Sequence, residues 1–182
     1  MRISKVLDIL SSGDHVDVHN FEKPFKTDGE GRLIYAPERL SSSQAVELFS
    51  QRSNSGGPPC NLLNLGCLKD NATPACFSNR NDYSLMHTCI NNGKSEKREW
   101  HGHDCSAFQL LASKGAAHLL HVDRHGVYTT ALTEEEKQLW LIWPGLTLED
   151  LQSMHVHDGG IAVLVDQGDM LIQPPNMLHA LL

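Results

Sequence analysis

Three side chains in this sequence have the types and the spacing of a mononuclear metal site. His121 and Asp123 are separated by one residue. Alternate side chains of a β-strand point to the same face, so His-x-Asp directs an imidazole and a carboxylate toward one point. His179 follows His121 by 58 residues (179 minus 121). If the fold brings His179 back to that strand, the set becomes two histidines and one carboxylate, which is typical of non-haem Fe(II) oxygenases.

The chain around these residues predicts a series of short strands. Apolar runs alternate with turns from residue 100 onward, which is typical of an all-β sandwich or barrel. The predicted strands are residues 107–113, 117–123, 127–133, 137–144, 161–166 and 170–175, with a seventh beginning at residue 178 and a short helix at 146–154. Both faces of residues 137–144 are largely apolar, so one face lines the interior and the other needs a cover.

Residues 1–100 are expected to supply that cover. A first helix is predicted near the N-terminus, where apolar side chains fall on one face. A second is predicted at residues 41–52, where Ser41 and Gln44 form a capping box. Another His-x-Asp occurs in the run HVDVH, residues 15–19, but turn-forming residues flank it. That run is therefore predicted to be a solvated loop.

Composition and charge exclude several classes of protein. The chain has 182 residues, 40% hydrophobic and 20% charged, which predicts a globular fold. Its net charge of −7 argues against direct nucleic-acid binding. No apolar run approaches the roughly 20 residues that span a bilayer. Five cysteines without a C-x-x-C pair predict reduced thiols. With no secretory leader recognised, the expected location is intracellular, in the nucleus or cytoplasm.

The histidine-rich runs elsewhere do not have the spacing of a usual zinc site. These runs contain His101, His103 and Cys105 in one case, and His155 and His157 in the other. Eleven histidines in 182 residues make such clusters common by chance.

About residues 105–182 resemble the JmjC (Jumonji C) family, whose fold is a cupin-type double-stranded β-helix. The resemblance rests on His-x-Asp, on Lys137 opening the run KQLWLIWP, on a Gly-Asp turn, and on a proline-containing strand before His179. It predicts a mainly β fold with N-terminal helices (α+β) and a double-stranded β-helix (cupin or jelly-roll) core. Residues 101–182 would form that core, and residues 1–100 a helical and loop flank packed on the barrel.

The resemblance implies a set of ligands but no further catalytic residue. Fe(II) would be bound by His121, Asp123 and His179, and Lys137 would bind the distal carboxylate of 2-oxoglutarate. Alternatively, Lys137 ends a hairpin and pairs with Glu135 or Glu136.

The sequence also departs from the family pattern. The family often has a hydroxyl three positions before the first histidine, and this chain has His118 there. Tyr128 or Thr130 is therefore expected to supply the hydroxyl that touches the cosubstrate.

The implied activity is that of a 2-oxoglutarate-dependent dioxygenase acting on a protein. It would hydroxylate a side chain or demethylate methyl-lysine, and by family analogy the substrate is a histone in chromatin. Only three residues follow His179, where the family barrel has a further strand, so a fragment or a shortened barrel is also expected. One alternative is an inactive or truncated JmjC/cupin module that serves protein interaction. Another is a metal-dependent cupin enzyme of different chemistry.

Overall fold

A computed structural model of the chain describes residues 3–10, 15–23, 26–31, 33–34, 36–66, 108–123, 128–146, 149–150 and 159–182. The described residues form helices α1 (Ile3–Leu10) and α2 (Ser42–Ser55) and strands β1 (His15–Asn20), β2 (Lys26–Thr27), β3 (Leu33–Ile34), β4 (Glu38–Ser41), β5 (Cys60–Gly66), β6 (Phe108–Ala112), β7 (His118–Val122), β8 (Thr129–Leu132), β9 (Lys137–Trp143), β10 (Ile161–Asp166), β11 (Met170–Gln173) and β12 (Leu178–Leu181). All the strand pairs are antiparallel, so the predicted mainly β fold is confirmed.

One four-stranded sheet combines the N-terminal region with the first strand of the predicted core. Its strand order is β4-β1-β5-β6. The loop predicted at residues 15–19 is wrong, because these residues form β1 between β4 and β5. Val16 and Val18 are buried, so the alternation of HVDVH is that of a strand with one face in a core. The turn-forming residues that flank this run only set where the strand begins and ends.

The two helices form a hydrophobic core with this sheet. Helix α2 begins after a capping box, in which the Ser41 side chain accepts from the Gln44 backbone N–H and Gln44 accepts from the Ser41 N–H, as predicted. Phe49 of α2 is 2% exposed and is one of the largest side chains in the cluster. The buried members are Val6, Val16, Val18, Ala45, Phe49, Cys60, Leu62 and Leu65.

A second pair of sheets carries the C-terminal strands. One sheet has the order β10-β9-β12-β7, and the other pairs β11 with β8. Their facing sides meet in a second cluster of buried residues, Trp140, Val165 and Leu181, with Ala131, Ile142, Val163 and Leu171 packed against it. The strands predicted from residue 107 onward are all present. The helix predicted at residues 146–154 falls mostly outside the described residues.

Two further sequence predictions meet the structure only in part. Cys60 is a free, fully buried thiol whose pKa is raised chiefly by burial, so it serves as a core side chain. The other four cysteines lie outside the described residues. Neither of the described helices is long and apolar enough to cross a membrane.

The first core predicts an asymmetry between two phenylalanines. Phe49→Ala would leave a cavity under α2 and lower the free energy of unfolding by about 3–5 kcal/mol. The matched control is Phe108→Ala, because Phe108 is 49% exposed, and we expect a loss of about 1 kcal/mol or less. Urea denaturation of both variants measures this difference, and equal losses would contradict the assigned core.

Candidate metal centre

Strand pairing brings His121 and His179 together. Strands β7 and β12 are antiparallel neighbours, and His179 lies directly opposite His121 in their register. The ring centroids are 4.3 Å apart. Asp123 follows the end of β7, and its Oδ1 lies 3.8 Å from Nε2 of His121. One ligand atom from each of the three side chains lies within 4.8 Å of the others, a spacing that a single metal ion could bridge.

Backbone carbonyls orient both imidazoles. Nδ1 of His121 lies 2.6 Å from the carbonyl oxygen of Leu119, and Nδ1 of His179 lies 3.0 Å from that of Met177. A carbonyl oxygen only accepts hydrogen bonds, so Nδ1 of each ring carries the proton. The lone pair is then on Nε2 of both histidines. Metal-binding histidines usually donate their other ring N–H in this way, which sets the tautomer and the ring orientation.

Thr129 orients the carboxylate. Its hydroxyl, at the start of β8, donates a hydrogen bond of 2.5 Å to Oδ2 of Asp123. Oδ1, the other oxygen, faces Nε2 of His121. A hydrogen bond to the outer oxygen of a ligating carboxylate holds the inner oxygen toward the metal. All three candidate ligands therefore have a second partner that sets their direction.

Burial lowers the pKa of two histidines near the centre, His179 and His118. His179 is 2% exposed, and burial lowers its pKa despite the opposing bond to Met177. Burial lowers the pKa of His118 to about 4, and repulsion from neighbouring imidazoles, first that of His121, adds to this effect. The rings of His118 and His121 are 6.4 Å apart. Neutral imidazoles keep their lone pairs and do not repel a cation.

Apolar side chains form one wall of the centre. His179 lies opposite Ile142 of β9, and the Trp140 ring centroid is 5.5 Å from that of His179. Both side chains belong to the second core cluster or pack against it. The centre therefore lies at the edge of a dry core, where electrostatic attraction between a cation and its ligands is stronger than in water. His121 is 41% exposed, so the opposite side of the centre is open to solvent.

The structure does not bring Lys137 to the centre. Lys137 lies opposite Asp166 of β10, and its ammonium is 2.8 Å from that carboxylate. It is five residues before Ile142, which shares a face with His179, so Lys137 points to the other side of the sheet. Asp166 raises the pKa of the ammonium, whose side chain is 64% exposed. Lys137 therefore does not face the centre, where binding of the 2-oxoglutarate carboxylate would require it, and its ion-pair partner is Asp166 rather than Glu135 or Glu136.

The hydroxyl at the centre comes from a residue that the sequence did not single out. Tyr128 is 69% exposed, and Thr130 lies on the exposed face of β8. Thr129 stands between them and points inward, opposite the buried Gln173 of β11. In an isolated strand, either Thr129 or Thr130 could face inward. Only the pairing of β8 with β11 shows that Thr129 is the inward-facing threonine.

The other histidines that the structure describes do not form a second centre. His101, His103, Cys105, His155 and His157 lie outside the described residues. His15 and His19 are on β1, where the His19 ring is 6.5 Å from that of His118. Among the described residues, His121, Asp123 and His179 are the only group of three or more His, Cys, Asp or Glu side chains close enough to hold a metal ion.

The donor set of the centre fits a divalent transition metal. Two imidazole nitrogens and one carboxylate oxygen suit Fe(II), and the same donors also bind Mn(II) or Zn(II).

Comparison with known proteins found no match for this chain among protein-family models, curated proteins or solved structures.

Thr129→Val should weaken metal binding without removing a ligand. Valine keeps the shape of the side chain but cannot donate to Asp123, so we expect a 10–100-fold loss of Mn(II) affinity, about the usual effect of removing a supporting hydrogen bond. The matched control is Thr130→Val, one residue along on the exposed face. Isothermal titration calorimetry measures both affinities, and equal affinities for the two variants would contradict the role of Thr129.

Burial of His118 should make the metal-free protein less stable in acid. Its folded-state pKa, about 4, is below the ordinary 6.5, so the unfolded chain takes up the proton more readily. The part of the free energy of unfolding that depends on neutral His118 is complete above pH 6.5 and is lost as the pH falls from 6.5 toward 4. With allowance for partial exposure, it amounts to about 2 kcal/mol. Urea denaturation with chelator across this range should show a shallower slope for His118→Leu than for the exposed-histidine control His15→Leu.

Proposed function

We propose that this chain is a mononuclear Fe(II) oxygenase of the JmjC type that oxidises a C–H bond in a protein side chain. The product is a hydroxylated side chain, or a demethylated lysine when the oxidised carbon is an N-methyl group. The observation that carries the proposal is the convergence of His121, Asp123 and His179, with ligand atoms within 4.8 Å of one another. Two imidazoles and one carboxylate on one side of an ion are the ligand set of this class of oxygenase.

The sheet arrangement supports the cupin-type part of the proposal. Two antiparallel sheets face each other across one apolar core. The candidate ligands come from the neighbouring strands β7 and β12 at the edge of that core. The protein substrate, with a histone as one candidate, follows from the sequence resemblance alone.

Each residue of the centre has a role in this proposal. Bound Fe(II) supplies the capacity to activate O2. His121, Asp123 and His179 would hold the ion, and the side of the centre that is open to solvent would remain accessible to O2 and a co-ligand. Thr129 holds the carboxylate in place, and Trp140 helps to exclude water from the inner side. The exposed side of His121 gives a protein substrate access.

The expected anchoring of 2-oxoglutarate does not fit the described residues. Lys137, the expected partner of the distal carboxylate, is on the outer face in an ion pair with Asp166. We therefore assign no step to 2-oxoglutarate. The same observation favours a second candidate, a metal-dependent cupin enzyme that uses a different co-ligand. An interaction module without metal affinity is the third, and a metal titration separates it from the other two.

The proposal predicts one Mn(II) or Fe(II) site that depends on both histidines. Full-length protein titrated anaerobically should bind one equivalent, and His121→Ala or His179→Ala should reduce the affinity by about 100-fold or more, because each removes a direct ligand. The matched control is His15→Ala, which removes an exposed histidine from β1. Circular dichroism checks that each variant is folded.

Two results would contradict the proposal. Folded wild-type protein that binds neither metal would favour the interaction module. A metal site that is lost in the His15→Ala control and kept in His121→Ala would place the ion elsewhere. The oxygenase step itself is tested with Fe(II)-loaded protein, O2, histone peptides and a panel of 2-oxo acids, whose oxidative decarboxylation would supply the two electrons that reduce the second oxygen atom. Mass spectrometry then detects an added oxygen atom or a lost methyl group.

A further inference from the structure

The inner face of β9 presents an amide where a cation was expected. Strand alternation places Gln138 and Trp140 on the same face as Ile142, which lies opposite His179. Gln138 is half-buried and lies opposite Val165, a side chain that is 4% exposed. It is four residues from Ile142, roughly 13 Å along the strand. A ligand that extends from the metal along the inner face of β9 therefore meets the neutral amide of Gln138.

Two other neutral groups point into the same interior. Gln173 is 3% exposed, and its Nε2 has no hydrogen-bond partner. It lies opposite Thr129, the residue that holds Asp123. Trp140 is 4% exposed, with its ring beside His179, and its Nε1 also lacks a partner. Buried donors without acceptors cost about 1–3 kcal/mol each and are rare in native proteins. Both donors would be satisfied by the carbonyl or hydroxyl oxygen of a ligand.

The described part of this region offers no cation to the interior. Between residues 108 and 182, the described lysines and arginines are Lys114 and Lys137, and both are exposed. A second carboxylate bound between the sheets would find no compensating charge among the described residues of this region. Its burial is far more costly than burial of a neutral polar group that receives hydrogen bonds.

We propose that the co-ligand of this centre is a 2-oxo acid with an uncharged, hydrogen-bond-accepting tail, and that Gln138 sets this preference. The oxo and carboxylate oxygens of such an acid chelate the metal, and its tail lies toward Gln138 between the two sheets. A dicarboxylate such as 2-oxoglutarate is disfavoured. This inference rests on the metal centre of the proposed function and names the class of molecule that shares the ion with the protein.

The test compares two probes that differ in one charge. Full-length protein loaded with Mn(II) is titrated anaerobically by calorimetry with 2-oxoglutarate and with its 5-monomethyl ester, which has a neutral tail of nearly the same length. We expect the ester to bind wild-type protein at least about tenfold more tightly, because it buries no uncompensated carboxylate. Gln138→Lys should reverse the order. Lys137→Gln, the adjacent-residue control, should leave both affinities unchanged.

Several outcomes would overturn the inference. If wild-type protein bound 2-oxoglutarate more tightly than the ester, that result alone would overturn the inference. This comparison needs no variant, so it remains decisive even if Gln138→Lys does not fold. Weaker 2-oxoglutarate binding by Lys137→Gln would return the anchoring role to Lys137. Binding of Mn(II) with no affinity for either probe would refute the co-ligand and leave the metal centre intact. Failure to bind Mn(II) would refute the proposed function as well.

Discussion

The antiparallel pairing of β12 with β7 is the constraint on which the candidate centre depends. It places His179 directly opposite His121, although the two are 58 residues apart (179 minus 121). The same strand pairs on its other edge with β9, so the imidazole is held between two strands and against Trp140. A shift of one residue in either register would turn His179 to the other face and separate it from Asp123. The backbone ladder thus fixes the ligand geometry before any metal binds.

The alternation of side chains across the sheets explains which polar residues can reach that centre. Gln138 and Thr129 point inward, whereas their neighbours Lys137 and Thr130 point outward. The consequence is chemical as well as geometric. The outward lysine pairs with Asp166 at the surface, and the described side chains of the interior include neutral donors but no cation. An interior of this kind favours neutral imidazoles and a neutral co-ligand tail, because an uncompensated charge is costly in a dry core.

The motif His-Val-Asp occurs twice in this chain, at residues 15–17 and 121–123, and only the second copy lies in the candidate metal centre. HVDVH at residues 15–19 and HVD at residues 121–123 both form or end a strand. In β1 the valines face a core of two helices, and the partners on either side are β4 and β5. In β7 the partner is β12, which supplies a second histidine. The motif therefore has the potential to bind a metal, and the neighbouring strand determines whether a third ligand arrives.

The sequence by itself determined the local properties of this protein. Short apolar runs separated by turns predicted the C-terminal strands, and the Ser41–Gln44 pair predicted the start of α2. Residue types and spacing singled out His121, Asp123 and His179. The strand and helix signals depend on near neighbours in the chain. Only the tertiary structure decided which face of each strand is inside. When both faces of a strand are largely apolar, as in residues 137–143, the sequence does not show which face is inside. An inward-facing Lys137 and an inward-facing Gln138 were therefore equally compatible with the sequence. The same was true of Thr130 and Thr129. The pairing of β9 with β10 and β12, and of β8 with β11, decided which face is inside. The sequence alone could not decide this, because hydrogen-bond register between distant segments is a property of the folded sheet and not of a single strand.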